Sequence, residues 1–156
     1  MKFALMSRNK ISLLVLIVLL AGVGIYGWRA YNRKVTPIKN ESPAFTVSSE
    51  EIIRQFETGD SAITTKYAGK LVLVTGITKQ VDKDEKGFYT VVLGDTSSMS
   101  SVRCAMDSLF AADVNMLQKG QATSIKGMFT GFQKDETGLL GSDIILNRCV
   151  IESKIK

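Results

Sequence analysis

The sequence has no histidine, only two prolines and only two cysteines among its 156 residues. Without histidine there is no Ser-His-Asp or Cys-His arrangement, no imidazole metal ligand and no side chain whose ordinary pKa lies near neutrality. Cys104 and Cys149 are too few for a four-thiolate zinc site and too far apart for a CxxC redox motif. There is also no P-loop, no GxGxxG at a strand-to-helix turn and no GxSxG elbow. The acidic turn DKDEKG at 82–87 lacks the glycine and closing glutamate spacing of an EF-hand. No catalytic residue, metal site or cofactor is therefore expected. The chain reads as a binding protein and not an enzyme.

Its charge is unevenly placed. Lys2, Arg8, Lys10, Arg29, Arg33 and Lys34 are the only charged residues in the first 34 positions, so the other 14 basic residues face all 15 acidic ones, a balance of −1. The net charge of +5 thus belongs to a leader and not to the globular part. Phosphate recognition draws its affinity from clustered Lys and Arg, which that balance does not supply.

Between those basic flanks runs ISLLVLIVLLAGVGIYGW, Ile11 to Trp28, 18 uncharged residues. As a helix it would span about 27 Å, close to the roughly 30 Å of a bilayer core. Tyr26, Trp28 and Tyr31 beside Arg29 and Arg33 have the placement of interfacial rings and snorkelling cations. An uncleaved single-pass anchor is favoured over a secretory signal, because the apolar run continues past each small-x-small site, and over a core helix, because no polar face exists. The expected organisation is a basic flank at 1–10, a transmembrane anchor at 11–28, a juxtamembrane linker at 29–47 holding both prolines, and a folded domain at 48–156. Basic residues on both sides of the anchor leave its orientation open.

Within the domain, Ser48 and Glu51 have capping-box spacing, and Ile52, Ile53, Phe56, Ile63 and Tyr67 recur at helical intervals, with Gly59-Asp60 placed to break the helix in two. The period changes at Lys70. Five strands follow: Leu71 onward with a bulge or bend at Gly76, Phe88 to Leu93, Val102 to Met106, Gln121 to Gln133 and Ile144 to Ile151, with a short helix over 107–118. The fold class is mainly β: a five-stranded OB-type Greek-key barrel with an N-terminal helix and a short helix between strands 3 and 4, preceded by one transmembrane helix. Another five-stranded barrel or sandwich is the alternative.

Tyr67-Ala-Gly-Lys70 before a strand with Gly76, then Val102-x-Cys104, Leu117-x-x-Gly120, Gly127, Gly131 and Leu146-x-x-Cys149, resemble the OB-fold proteins called tRNA-anti-like, over about residues 48–152. The resemblance implies a small bacterial envelope protein, lipid-anchored or single-pass. It implies a fold and no substrate. The chain departs from the lipoprotein members in having no cysteine after the apolar run.

In such a barrel the third and fifth strands are neighbours, so Cys104 and Cys149 could be bridged, which would stabilise the domain by about 4 kcal/mol; two buried thiols are the alternative. The usual ligand face places Phe88, Tyr89, Arg103 and Lys134 together, between the DKDEKG turn and the KDETGLLGS loop at 134–142. Read plainly, Phe88 is a core residue and Tyr89 a half-exposed strand residue. Asp82, Asp84, Glu85, Asp135, Glu136 and Asp143 in those segments would repel phosphates. The expectation is a membrane-anchored binding or assembly module, on the extracytoplasmic side, whose partner is a protein or cell-envelope component. Single-stranded nucleic acid is the alternative, disfavoured by charge.

Overall fold

A computed structural model describes residues 8–32, 38–137 and 140–152, and of residues 8–15 the backbone alone. Of the basic flank, Lys2, Arg33 and Lys34 lie outside the described residues, as does Pro37. The chain divides into two units, residues 1–36 and 37–156.

The first unit holds helix α1, Arg8–Tyr31, whose side chains from Leu16 to Tyr31 are exposed all round. Among the residues whose side chains are described, no helix is long and apolar enough to cross a membrane; Ile11 to Val15 fall outside that set.

The second unit is a barrel. Its strands are β1 (Phe45–Ser48), β2 (Leu71–Lys83), β3 (Tyr89–Leu93), β4 (Ser101–Met106), β5 (Ala122–Gln133) and β6 (Asp143–Ile151). The order β2-β3-β4-β6-β5 closes on itself because β5 also pairs with β2, giving a five-stranded barrel in the OB arrangement. β2 is long enough to serve twice. Its first half pairs with β5 and its second half with β3, with a register shift between Thr78 and Gln80. Gly76, expected to mark that bend, instead lets Ser49 approach: a Cβ there would overlap the Ser49 hydroxyl.

Helix α2 (Ser49–Glu57) begins where the capping box places it, with the Glu51 amide donating to Ser48 Oγ at 3.1 Å. Gly59, at φ 75°, turns the chain, and Asp60 caps α3 (Ser61–Tyr67) by accepting from the Ala62 amide. Ile52, Ile53 and Phe56 from α2 and Tyr67 from α3 join Val72, Val74, Val91, Leu93, Val102, Ile125, Phe129, Ile144 and Leu146 in one core. The Phe56 ring lies 5.1 Å from Phe129, 5.1 Å from Phe132 and 5.7 Å from Tyr67. The helix expected at 107–118 is a 3-10 helix, Ser108–Met116, capped by Asp107. Val114 is its only buried side chain, so it has no broad apolar face to regularise into an α-helix.

The expected linker at 29–47 needs correction. From Ile38 onward it is part of the barrel unit: a 3-10 turn at Ile38–Asn40 buries Ile38 against Leu71 and Val150, and β1 adds in parallel to the first half of β2. Lys126, on the outer side of β5 and only 3% exposed, secures this strap. Its ammonium donates to the carbonyls of Lys39 and Glu41, each at 2.9 Å, and pairs with Glu152 at 2.9 Å.

Candidate binding face

Strand pairing decides which side chains share the outer face. Val81, Val91, Cys104 and Leu146 stand opposite one another and point inward; the alternate row is Gln80, Val92, Arg103 and Ile145, with Asp82, Thr90 and Ala105 beside it. Tyr89 has the inward parity. It packs on the core, with Lys83 Nζ 5.2 Å from its ring centroid. Phe88 has the outward parity and is 52% exposed, so it is not the core residue of the plain reading.

The structure does not bring the four expected residues together. Phe88 closes the β2–β3 hairpin at the Met106 end of β4, whereas Lys134 follows Gln133, which pairs through Asp143 with Ser101 at the other end. At about 3.3 Å per residue the two are roughly 20 Å apart. Arg103 lies between them and is engaged: its Nε donates to Asp143 Oδ2 at 2.6 Å, while Ser101 Oγ donates to Asp143 Oδ1 at 2.6 Å. Sequence reasoning placed Asp143 in a loop and missed this pairing, which depends on parallel β4–β6 register. Gln80 and Thr90 were missed too, although strand alternation from Val91 would have found Thr90.

Both ends of the face are built by carboxylates bound to backbone amides. At the hairpin, Asp84 Oδ1 accepts from the amides of Lys86 (2.9 Å) and Phe88 (2.8 Å). At the far end, Asp135 accepts from the Thr137 hydroxyl at 2.6 Å and from the amides of Leu140 (2.6 Å), Thr137 (3.0 Å) and Gly141 (3.2 Å). The Thr137 hydroxyl, followed by the Leu140 amide, holds the Asp135 carboxyl at about 2. This loop rests on the β3–β4 loop: Gly141, at φ 75°, meets the backbone of Met99 and Ser100 where no Cβ would fit. Ser100 Oγ donates to Glu57 (2.9 Å) and accepts from the Ser142 amide (3.1 Å), and Lys79 Nζ donates to the carbonyls of Ser98 (2.7 Å) and Ser100 (3.2 Å).

Because the Asp135 pKa is depressed in the fold, its bonds are in force above the ordinary value of 3.8 and are lost as pH falls through about 2. Amide exchange is expected to show protection of Leu140 and Gly141 persisting to pH 3 and vanishing near pH 2. Asp135→Ala is expected to remove it at every pH; unchanged exchange in that variant would refute the role given to this carboxylate.

Among the described residues no group of three or more His, Cys, Asp or Glu could hold a metal ion. Cys104 and Cys149 lie in the barrel interior and not on the face.

The model of the tRNA_anti-like family matches residues 1–143, and no curated protein matches the sequence. A lipoprotein from Klebsiella pneumoniae, named as a candidate nucleic acid-binding protein, superposes with a TM-score of 0.54 at 19% identity, covering 69% of this chain and 91% of that one. The OBody AM3L09, solved bound to hen egg-white lysozyme, gives 0.41 at 16% identity over 58% of this chain and 88% of its own. Asparaginyl-tRNA synthetase of Entamoeba histolytica gives 0.38 at 19% identity, over 56% of this chain and 22% of the enzyme. At these identities the likeness to the lipoprotein speaks for the fold.

Proposed function

This chain belongs to the tRNA_anti-like family, and from that membership and the face described above we propose that it is a non-enzymatic, membrane-anchored OB-fold binding module. The outer side of β3 and β4 recognises a protein or another cell-envelope component. The observation that carries this reading is the state of Arg103. Among the described residues it is the one cation in the centre of the face, and Asp143 holds its Nε at 2.6 Å. Nor is there a run of exposed rings, since Tyr89 packs on the core. What the face offers is Thr90, Ala105 and Ile145, each half-buried, rimmed by carboxylates, while Val92 in the same row is buried; this is a mixed surface suited to a polypeptide. The uncharged run from Ile11 to Trp28, its basic flanks and the all-round exposure of α1 from Leu16 onward support the anchor. The extracytoplasmic side is favoured by the envelope character that the family resemblance implies.

A second reading, single-stranded nucleic acid, is favoured by the exposed Phe88 ring and by the name of the Klebsiella lipoprotein. Fluorescence anisotropy with a labelled oligonucleotide separates the two. The detergent-solubilised chain is expected to bind no tighter than about 1 μM, the limit of non-specific contacts. A photo-crosslinking residue at Thr90 is expected to capture a protein in intact cells, and one at exposed Lys119 is not. Submicromolar, steeply salt-dependent oligonucleotide binding that Phe88→Ala weakens at least tenfold would replace the first reading by the second.

A further inference from the structure

Two reactive groups lie inside the barrel and take no part in the outer face. Cys104 on β4 and Cys149 on β6 are both fully buried. Their strands run parallel side by side, with Cys104 opposite Leu146 and Cys149 opposite Met106, and both side chains enter the same core. Two local features bring Cys149 there. The β4–β6 register shifts between Cys104 and Met106, where Arg148 adopts φ 55° and inserts an extra residue into β6. On the neighbouring strand β5, Gly127 lacks the Cβ that would overlap Cys149 Sγ.

We propose that Cys104 and Cys149 form an intrachain disulfide, made by exchange with an external disulfide before the barrel closes. One cysteine thiolate attacks the donor, a glutathione disulfide or a disulfide-carrying protein, forming a mixed disulfide and releasing one donor thiolate. The second cysteine thiolate then displaces the other donor sulfur and completes the bridge. The two cysteines lose two electrons and two protons; the donor takes the electrons and leaves as two thiols. The order of events follows from burial. In the closed barrel neither sulfur is reachable, and desolvation, then the neighbouring Cys104, holds the Cys149 thiol well above its usual range, so attacking thiolate is scarce. The exchange belongs to the chain before β6 docks, and the same burial then shields the bond from reductant.

The test refolds the full chain from guanidinium into detergent with mixed oxidised and reduced glutathione. Expected are no maleimide-reactive thiols when the product is denatured without reductant, two after reduction, a mass lower by about 2 Da, and a Tm that falls by about 10 °C on reduction. Protein first folded reduced and then given the same glutathione is expected to keep both thiols at least ten times longer. Cys104→Ala is expected to leave one reactive thiol and a Tm insensitive to reductant. Two free thiols or two glutathione adducts in refolded protein overturn the bridge, as does an equal reductant-induced Tm fall in Cys104→Ala. Equal oxidation rates before and after folding overturn the proposed order.

Discussion

Phe56→Ala is expected to lower the unfolding free energy by about 3–5 kcal/mol and the Tm by about 10–20 °C, the largest effect of any single truncation considered. Helix α2 is short, and its polar side carries Glu50, Glu51 and Arg54, so it owes its position to what it buries. Phe56 is the longest of its three buried apolar residues and the one around which Tyr67, Phe129 and Phe132 gather. Removing the ring leaves a cavity among side chains fixed by the barrel wall, which cannot collapse to fill it. Urea denaturation followed by circular dichroism measures the cost. If the alanine variant does not fold, Phe56→Leu keeps the test alive, with an expected loss of about 1–1.5 kcal/mol. A loss below 1 kcal/mol in Phe56→Ala would mean that α2 does not seal the core.

Lys126→Met is expected to cost about 2–3 kcal/mol. The variant preserves the aliphatic stem and its packing while deleting three donors, so the change isolates the polar contacts. Two carbonyls, of Lys39 and Glu41, lose their charged partner at the edge of a nearly dry site, and each such loss costs on the order of 1 kcal/mol or more. Glu152 is 40% exposed and can turn to water, so little of the cost comes from it. A regional signature distinguishes this from general weakening. The amides of Glu41 and Ala44, which donate to Ile38 and Leu71, are expected to exchange at least tenfold faster, while those within β3 and β4 change only with global stability. Uniform acceleration across the barrel would show that Lys126 is not a strap fastener.

Why these two residues differed in legibility is instructive. Phe56 could be placed in the core from the sequence, because Ser48, Glu51 and the 52-53-56 spacing state a capped, one-sided helix within ten residues. The five barrel strands were readable for the same reason: each announces itself by local alternation and a turn. Lys126 could not be read. A lysine in a strand signals solvent, and only the return of residues 38–44 across β5 encloses it. That strap contains Pro43 and leads into a four-residue strand, Phe45–Ser48, whose partner lies 27 positions further along the chain. Locally it has the composition of a tether.

The binding face divides in the same way. Its strands and bounding loops were legible, but assigning Tyr89 and Phe88 to opposite sides required the β3 register, and the capture of Arg103 by Asp143 required the parallel β4–β6 pair. Gly127 stood out in the sequence only as part of the family motif, and its place beside Cys149 depends on the β5–β6 register.

Ser100 is gripped by Glu57 and Ser142, and Lys79 holds the carbonyls on either side of Met99, which itself remains exposed, as does Leu140. A visitor docking at that end therefore meets apolar tips mounted on backbone whose conformational freedom is already gone. Association there is expected to proceed as a near rigid-body encounter, with the entropic penalty of ordering falling on the visitor alone.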